Sequence, residues 1–435
     1  MNFRISPRTQ ELFSTKLWYA PMLATAMGLM LVRLAIVARM LPVTDFAVYS
    51  YGLLVSSSFC MLACLGLHWL LQRDLPIMII RGRERAGGVL LIQCALVAIF
   101  SAAAGWFVIL VFDVTLVGLT TTGLLISLFH GLAQQLFTVT TVDSRSRNLP
   151  VQFAKENLER AVILVIAAPL VISLGGTSMA ILLLEGIVTA ALAAHQMASK
   201  FSRTEFSFLS TTIVGYRALT KVRWRTAITL LAVSSLGFFV LNVDRWVGAH
   251  WLSANQFANY AFAWTLLSIA QSIQTIINAS FYPILSQKYA VNGRRESFVY
   301  TLKVASTTLI ISAFFSLIFY YFCGILIDKF YPKYSDSKEL LKYFFIIISF
   351  RISDFWSSFL IVTRQDRRLL LIMLSVTLST ITIWAKIKDF NFQILNIKDV
   401  GELALFITVS NYLISALFAW KSAASVSRVD SLDHR

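Results

Sequence analysis

The chain has 435 residues, of which 57% are hydrophobic and only 14% charged, with a mean hydropathy of +0.72 and a formal net charge of +16. A soluble protein of this length carries nearly twice that share of charge, so a soluble globular domain is excluded. Apolar runs of about 20 residues recur from end to end, each long enough to cross a hydrocarbon core about 30 Å thick, and the chain reads as an all-α, polytopic integral membrane protein.

Twelve spans follow in order, at about 17–40, 47–71, 87–112, 114–142, 157–174, 177–198, 226–249, 255–284, 301–327, 338–362, 369–386 and 400–421. The first, "LWYAPMLATAMGLMLVRLAIVARML", is too long for a signal-peptide apolar region and lacks a small-residue cleavage site. Placing the N-terminus inside puts about 26 basic residues on the inner segments, among them Arg73, Arg81, Arg83 and Arg85, and then Arg217, Lys221, Arg223 and Arg225. The outer segments carry about six, including Lys329, Lys333 and Lys338. The positive-inside rule therefore predicts cytoplasmic termini. The +16 is largely a topogenic signal, and no nucleic-acid partner is needed to explain it. Attraction to anionic lipid on the inner leaflet is a further consequence. Cys60, Cys64, Cys94 and Cys323 all lie in apolar runs without metal-site spacing to histidine, and read as free, buried thiols.

The longest inner connection, about 199–225, divides the chain into two halves of six spans. The expected organisation is an N-terminal lobe over 1–200, a cytoplasmic linker over 201–225, a C-terminal lobe over 226–421 and a cytoplasmic tail over 422–435. An offset of 211 positions relates the halves. It lays Phe46, Ala47 and Tyr49 ("DFAVYSY") on Phe257, Ala258 and Tyr260 ("QFANYAF"), Gly82 and Arg83 on Gly293 and Arg294, and Leu41 on Leu252. The first match opens an outer-to-inner span in both halves, and the second falls in the next inner loop. Chance similarity of hydrophobic sequence is the alternative. An even number of spans per half predicts a parallel duplication about an axis along the membrane normal.

The segment "VARMLPVTDFAVYSYGLLVSS" carries Ala38, Arg39, Pro42, Asp45, Phe46, Ala47 and Tyr49, and resembles the first hairpin of the Wzx-type O-antigen and polysaccharide flippases of the multidrug/oligosaccharidyl-lipid/polysaccharide (MOP) exporter superfamily. The glycines of that pattern are absent: Val43 follows the proline, and Ala47 stands where glycine is usual. In the second half "NVDRWVGAHWLSANQFANYAFA" and "INASFYPILSQKY", with Pro283, are similar in the same way. The resemblance covers the whole chain in length, span number and charge layout. It implies twelve transmembrane helices in two pseudo-symmetric six-helix lobes around a central cationic cavity. It also implies a polyprenyl-diphosphate-linked oligosaccharide as cargo, carried from the inner to the outer leaflet of the cytoplasmic membrane with its lipid tail between the lobes, near the first and eighth spans. Membrane lipids and the polysaccharide polymerase machinery are the other expected partners, and no cofactor is implied.

A charge at a span centre costs about 2.5–3.5 kcal/mol on insertion scales, so such residues face a cavity or a partner far more often than lipid. "FFVLNVDRWVGAHWL" places Asp244 and Arg245 side by side in an apolar run. Adjacent helical residues diverge by about 100°, so at least one of them needs a partner on another helix. The offset of 211 sets Asp244 against Arg33, which suggests a gating contact between them across the cleft, leaving Arg245 for substrate or another helix. Arg33 is read either as snorkelling to headgroups or as an anion ligand. Arg351 lies mid-span with Asp354 at i+3, as a static ion pair or as a phosphate ligand tuned by the acid. A guanidinium fork suits phosphate because it can bind two oxygens at once. His130 is either an interhelical hydrogen bonder or a ligand. Glu185 is either a buried protonated carboxyl or a cation-coupling site. Gln271, Gln274 and Asn278 share one helical face and could touch sugar hydroxyls or bond a neighbouring helix. Tyr260 and Trp264 could stack on sugars or belong to the interfacial belt. The expected substrate-binding set is therefore Arg33, Arg245, Arg351, His130, Gln271 and Gln274, and the gating or coupling set is Asp244, Asp354 and Glu185.

The nearest rival is a cation-coupled multidrug exporter of the same superfamily, which should line its lumen with acids. Here arginines outnumber acids among the intramembrane candidates. A major-facilitator transporter is disfavoured because "QRDLPIMIIRGRERAGG" lacks the acid-rich signature after the second span. A membrane polymerase or ligase is disfavoured because no outer loop is long enough to hold catalytic Arg and His. There is no Ser-His-Asp set and no Gly-rich phosphate loop, so neither an enzyme nor ATP-driven transport is expected.

Overall fold

A computed structural model describes residues 7–430 apart from 117, 148, 203–206, 364 and 388–394. Among the described residues all regular structure is helical, apart from one isolated bridge between Leu116 and Leu119. The first half comprises α1 (Pro7–Met40), α2 (Val43–Ala63), α3 (Leu67–Ile80), α4 (Glu84–Phe112), α5 (Thr121–Ser146), α6 (Pro150–Ser173), α7 (Ser178–Ser202) and the short α8 (Phe208–Arg217). The second comprises α9 (Trp224–Trp251), α10 (Ala254–Phe330), α11 (Lys338–Ile352), α12 (Trp356–Val362), α13 (Asp366–Ile387) and α14 (Ile397–Asp430). Nine of the described helical stretches are long and apolar enough to cross a membrane. Of the expected spans outside these nine, α6 falls short on this measure, and the first part of α10 and α13 lie partly outside the described residues. Charged residues count against α6, which holds Lys155, Glu156, Glu159 and Arg160.

Two expected spans are interrupted. The second is split into α2 and α3 at Cys64–Gly66. The tenth is split into α11 and α12, with Ser353 and Asp354 outside either helix. A continuous helix over 338–362, with Arg351 and Asp354 one turn apart, is therefore not what forms. Serine and aspartate are poor interior helix residues because their side chains compete for backbone groups, and this is where the break falls.

The expected eighth and ninth spans run together as α10, and Gly293 turns the chain between them with φ +76° and ψ −169°. Its repeat partner Gly82 makes the α3–α4 turn, also at positive φ (+66°). No atom stands within 4 Å of where a Cβ would sit at either glycine, so the backbone conformation alone requires glycine there. The other paired positions agree in burial: Leu41 with Leu252, Phe46 with Phe257, Ala47 with Ala258, and Tyr49 with Tyr260, the tyrosines both at 0% exposure.

Contacts divide the chain into two compact units, Met1–Ser235 and Leu236–Arg435. In the first, α1 packs on α6, and α5 packs on both α2 and α7. Gly131 lets α5 approach α2 so closely that a Cβ would stand 2.6 Å from the Ser56 carbonyl oxygen. Small residues at such crossings are how helices associate where no hydrophobic effect separates protein from solvent. The first turns of α9 also join this unit: Ala227, Trp224 and Leu230 pack with Leu67, Leu71 and Leu75 of α3. In the second unit α10 packs on α11, α11 and α13 pack on α14, and Phe281, Phe355, Phe359 and Tyr412 form an aromatic core.

Candidate functional site

Each unit buries a cluster of charge within its helices. In the N-terminal unit the cluster centres on Glu185 of α7, which is fully buried. Arg33 Nη1 of α1 lies 2.8 Å from Glu185 Oε2, and Arg33 itself is only 4% exposed. Tyr49 of α2 donates its hydroxyl across both carboxylate oxygens, at 3.0 and 3.1 Å. His130 of α5 sets Nε2 3.8 Å from Oε2, while its Nδ1 lies 2.6 Å from the Ser56 hydroxyl. The neutral tautomer with hydrogen on Nε2 suits both sides: Ser56 donates to Nδ1, and Nε2–H points at the carboxylate. Four helices thus meet on one acid. Arg160 of α6 lies beside them, its guanidinium 4.8 Å from the Phe137 ring and its buried Nε without a hydrogen-bond partner.

In the C-terminal unit the acid is Asp244 of α9. Tyr260 of α10 donates its hydroxyl to Asp244 Oδ2 and packs edge-on against Phe344 of α11. Arg351, at the end of α11, lies within electrostatic reach of both Asp244 and Tyr260. It is buried, yet neither Nε nor Nη1 has a hydrogen-bond partner. Arg245 turns away from its neighbour Asp244, stacks with its guanidinium 4.1 Å from the Trp264 ring, and donates to Asn242 Oδ1 at 3.2 Å. Asp354, in the break after α11, accepts from Ser357 through Oδ2 at 3.2 Å and leaves buried Oδ1 without a partner.

These placements answer several expectations. Arg33 and Asp244 each have a partner inside their own unit, Glu185 and Tyr260. Glu185 is not isolated, and His130 bonds a neighbouring helix. Arg351 does not pair with Asp354, because the helix ends between them. Gln274 Nε2 donates to the Asp354 carbonyl at 3.4 Å, and Asn278 Oδ1 accepts from Ser358 at 3.2 Å, so this polar stripe braces α10 against the break. The side chain of Gln271 lies outside the described residues. Trp264 is a platform for Arg245, and Tyr260 is a hydrogen-bond donor to an acid.

Sequence reasoning missed the part played by Tyr49, although the repeat had already paired it with Tyr260. It also missed a second polar network at the ends of α4, α5 and α7. There Arg147 meets Asp143 at 3.1 Å and Glu84 at 3.5 Å, and Lys200 lies 3.7 Å from Asp143. Burial alone would lower the Arg147 pKa, but the Asp143 and Glu84 carboxylates outweigh it and raise the value above its ordinary one.

No protein-family profile matches the chain, and no curated protein matches it. Solved structures do. A multidrug-resistance MATE-family transporter of the MOP superfamily, inward-facing, superposes with a TM-score of 0.66 at 11% identity, over 93% of this chain and 96% of the other. The eukaryotic MATE transporter AtDTX14 gives 0.62 at 12% identity, over 97% and 99%. A MATE transporter in complex with MaL6 gives 0.60 at 12% identity, over 94% and 95%. The fold is that of the MATE transporters. With it comes the twelve-helix, two-lobe layout of a multi-pass membrane protein. The neighbours are transporters rather than enzymes.

Proposed function

We propose that this chain is a flippase that moves a polyprenyl-diphosphate-linked oligosaccharide from the inner to the outer leaflet of the cytoplasmic membrane by alternating access, for O-antigen or exopolysaccharide synthesis. Both termini lie in the cytoplasm on this reading. The observation that carries it is Arg351, which is buried, is in no ion pair among the described residues, and has Nε and Nη1 without hydrogen-bond partners. Nε and Nη1 of Arg33 and Nε of Arg160 also lack hydrogen-bond partners, but the Arg33 charge is balanced by Glu185, whose Oε2 lies 2.8 Å from Nη1. A buried donor without an acceptor is costly, and the cost is larger for a charged group. Diphosphate oxygens supply the missing acceptors, and the planar fork binds them two at a time. Arg245, held flat on Trp264, adds positive charge within electrostatic reach of Arg351. Gln274 of α10, whose Nε2 donates to the Asp354 carbonyl, is the candidate contact for sugar hydroxyls in this scheme. Glu185, Asp244 and Asp354 serve gating or ion coupling in this scheme. The driving force is an ion gradient, the membrane potential, or removal of product by the polymerase machinery.

A second reading, a cation-coupled multidrug exporter of the same superfamily, draws on the structural neighbours and on the unbonded carboxylate oxygen of Asp354. It is weakened by Glu185 and Asp244, whose carboxylates are already bonded.

The test is complementation of a strain lacking its oligosaccharide flippase, with the deletion at the native locus as the second host. Restored surface polysaccharide with wild type, and its loss with well-expressed Arg351→Gln, is the expected result. Restored resistance to cationic dyes without restored polysaccharide in either host would establish the exporter instead.

A further inference from the structure

The linker between the lobes contains a helix that is built the wrong way round for water. In α8 the face turned to the protein is small and polar: Thr211 and Gly215, at i and i+4, are buried against α4. Gly215 meets Ile92, and Gln93 Nε2 donates to the Gly215 carbonyl at 3.2 Å. The face turned away is apolar. Leu209, Ile213 and Tyr216, at i, i+4 and i+7, are 68, 46 and 61% exposed. An amphipathic helix on a soluble protein would reverse this arrangement.

The level of the helix along α4 explains the inversion. Ile92 lies eight residues into α4, which begins at Glu84, or about 12 Å along its axis at about 1.5 Å per residue. With the charged residues that open α4, Glu84 and Arg85, taken as the level of the headgroups, that depth falls near the boundary with the acyl chains, where an interfacial helix buries its apolar face. Phe208 packs edge-on against Phe201 of α7, and beside them opens an apolar cavity of about 540 Å³, walled also by Ala194, Met197 and Ala198. Just beyond the apolar face come Arg217, Lys221 and Arg225, all exposed and in no ion pair among the described residues. Arg223 is different, because it pairs with Asp74 and pins the linker to α3.

We propose that α8 is an interfacial anchor that binds anionic phospholipid. Acyl chains cover Leu209, Ile213 and Tyr216 and enter the cavity beside Phe208. Phosphate headgroups take Arg217, Lys221 and Arg225. The proposal holds whatever the cargo, since it rests on no residue of the two buried clusters.

The experiment uses the full chain carrying Leu209→Cys, labelled with an environment-sensitive fluorophore and reconstituted in phosphatidylcholine vesicles with or without phosphatidylglycerol. Wild type, whose four thiols are buried or half-buried, reports the background. The expected emission is blue-shifted, quenched by shallow spin-labelled lipid and protected from iodide. Phosphatidylglycerol should strengthen lipid quenching. The triple variant Arg217→Gln, Lys221→Gln, Arg225→Gln should lose that dependence severalfold while still folding, because these exposed side chains brace no other part of the fold. Water-like emission with free iodide access in both vesicles would overturn the proposal. So would blue-shifted emission indifferent to phosphatidylglycerol, which would leave an apolar anchor without anion recognition. Protection in native membranes but not in vesicles would show that a protein covers this face instead.

Discussion

The N-terminal and C-terminal clusters are built around the same tyrosine and opposite charges. Tyr49 and Tyr260 occupy equivalent repeat positions, are both fully buried, and both donate to a carboxylate. On the preceding helix, at positions related by the same offset, the first half has Arg33 and the second has Asp244. Each lobe then imports the missing charge from a different helix: Glu185 from α7 in the first, Arg351 from α11 in the second. The outcomes differ. Glu185 accepts the Tyr49 hydroxyl, is ion-paired with Arg33 and has His130 Nε2 at 3.8 Å, whereas Arg351, which like Arg33 keeps Nε and Nη1 without hydrogen bonds, is in no ion pair among the described residues. On the proposed function, the ion-paired cluster braces its lobe when closed, and Arg351 is the charge left open for the ligand. Duplicated lobes can thus preserve a scaffold interaction while dividing structural and binding work between them.

The sharpest way to break this contrast is to remove one charge from each cluster. Glu185→Leu strands Arg33 in the N-terminal lobe and should cost about 3–5 kcal/mol, read as thermal unfolding of the detergent-solubilised protein. Adding Arg33→Met should recover most of that loss, because the pair is then replaced by apolar side chains. Arg351→Gln should behave oppositely. Its stability change should stay under about 1 kcal/mol, since Nε and Nη1 make no internal hydrogen bond, while affinity for a lipid diphosphate falls about tenfold or more. Equal destabilisation by the two changes would end the distinction between brace and open site.

A middle-sized effect tests the shared part. Tyr49→Phe and Tyr260→Phe each remove one phenol that donates to a carboxylate and should each cost about 1.5–3 kcal/mol in the same unfolding assay. Gly131→Ala probes the packing beneath the N-terminal cluster. The new methyl meets the Ser56 carbonyl oxygen, and the cost of overpacking should be about 1–3 kcal/mol, with the Ser56–His130 hydrogen bond the first to break. The smallest effect belongs to the partly exposed network at the helix ends. Arg147→Gln should change stability by about 0–1 kcal/mol, and salt should erase the difference.

The sequence was most informative where the physics is one-dimensional. Hydropathy and basic-residue bias read out the order of the spans, and the offset of 211 related the two halves. Charge in an apolar run correctly marked Arg33, Glu185, Asp244 and Arg351 as buried. It could not mark partners. A helix that is apolar all round carries no hydrophobic stripe to fix its rotation, so nothing in "AILLLEGIV" says that Glu185 faces Arg33, 152 positions earlier. The repeated tyrosine was the overlooked clue, since a phenol kept at 0% exposure in both halves needs an acceptor in each. The break in the tenth span was legible in Ser353–Asp354 and was outweighed by the apolar residues around it. The linker was read only for its charge, and the spacing of Leu209, Ile213 and Tyr216 passed unused.

Gly82 and Gly293 have a consequence of a different kind. Around both, the space a side chain would occupy is empty, and only the sign of φ excludes other residues. The requirement is one of handedness, so a D-alanine introduced by semisynthesis should be accepted where L-alanine is not. Side-chain partners have diverged between the halves to the point of exchanging charge, while this turn has kept its chirality. The two turns share a sign of φ that substitution of the surrounding side chains leaves untouched.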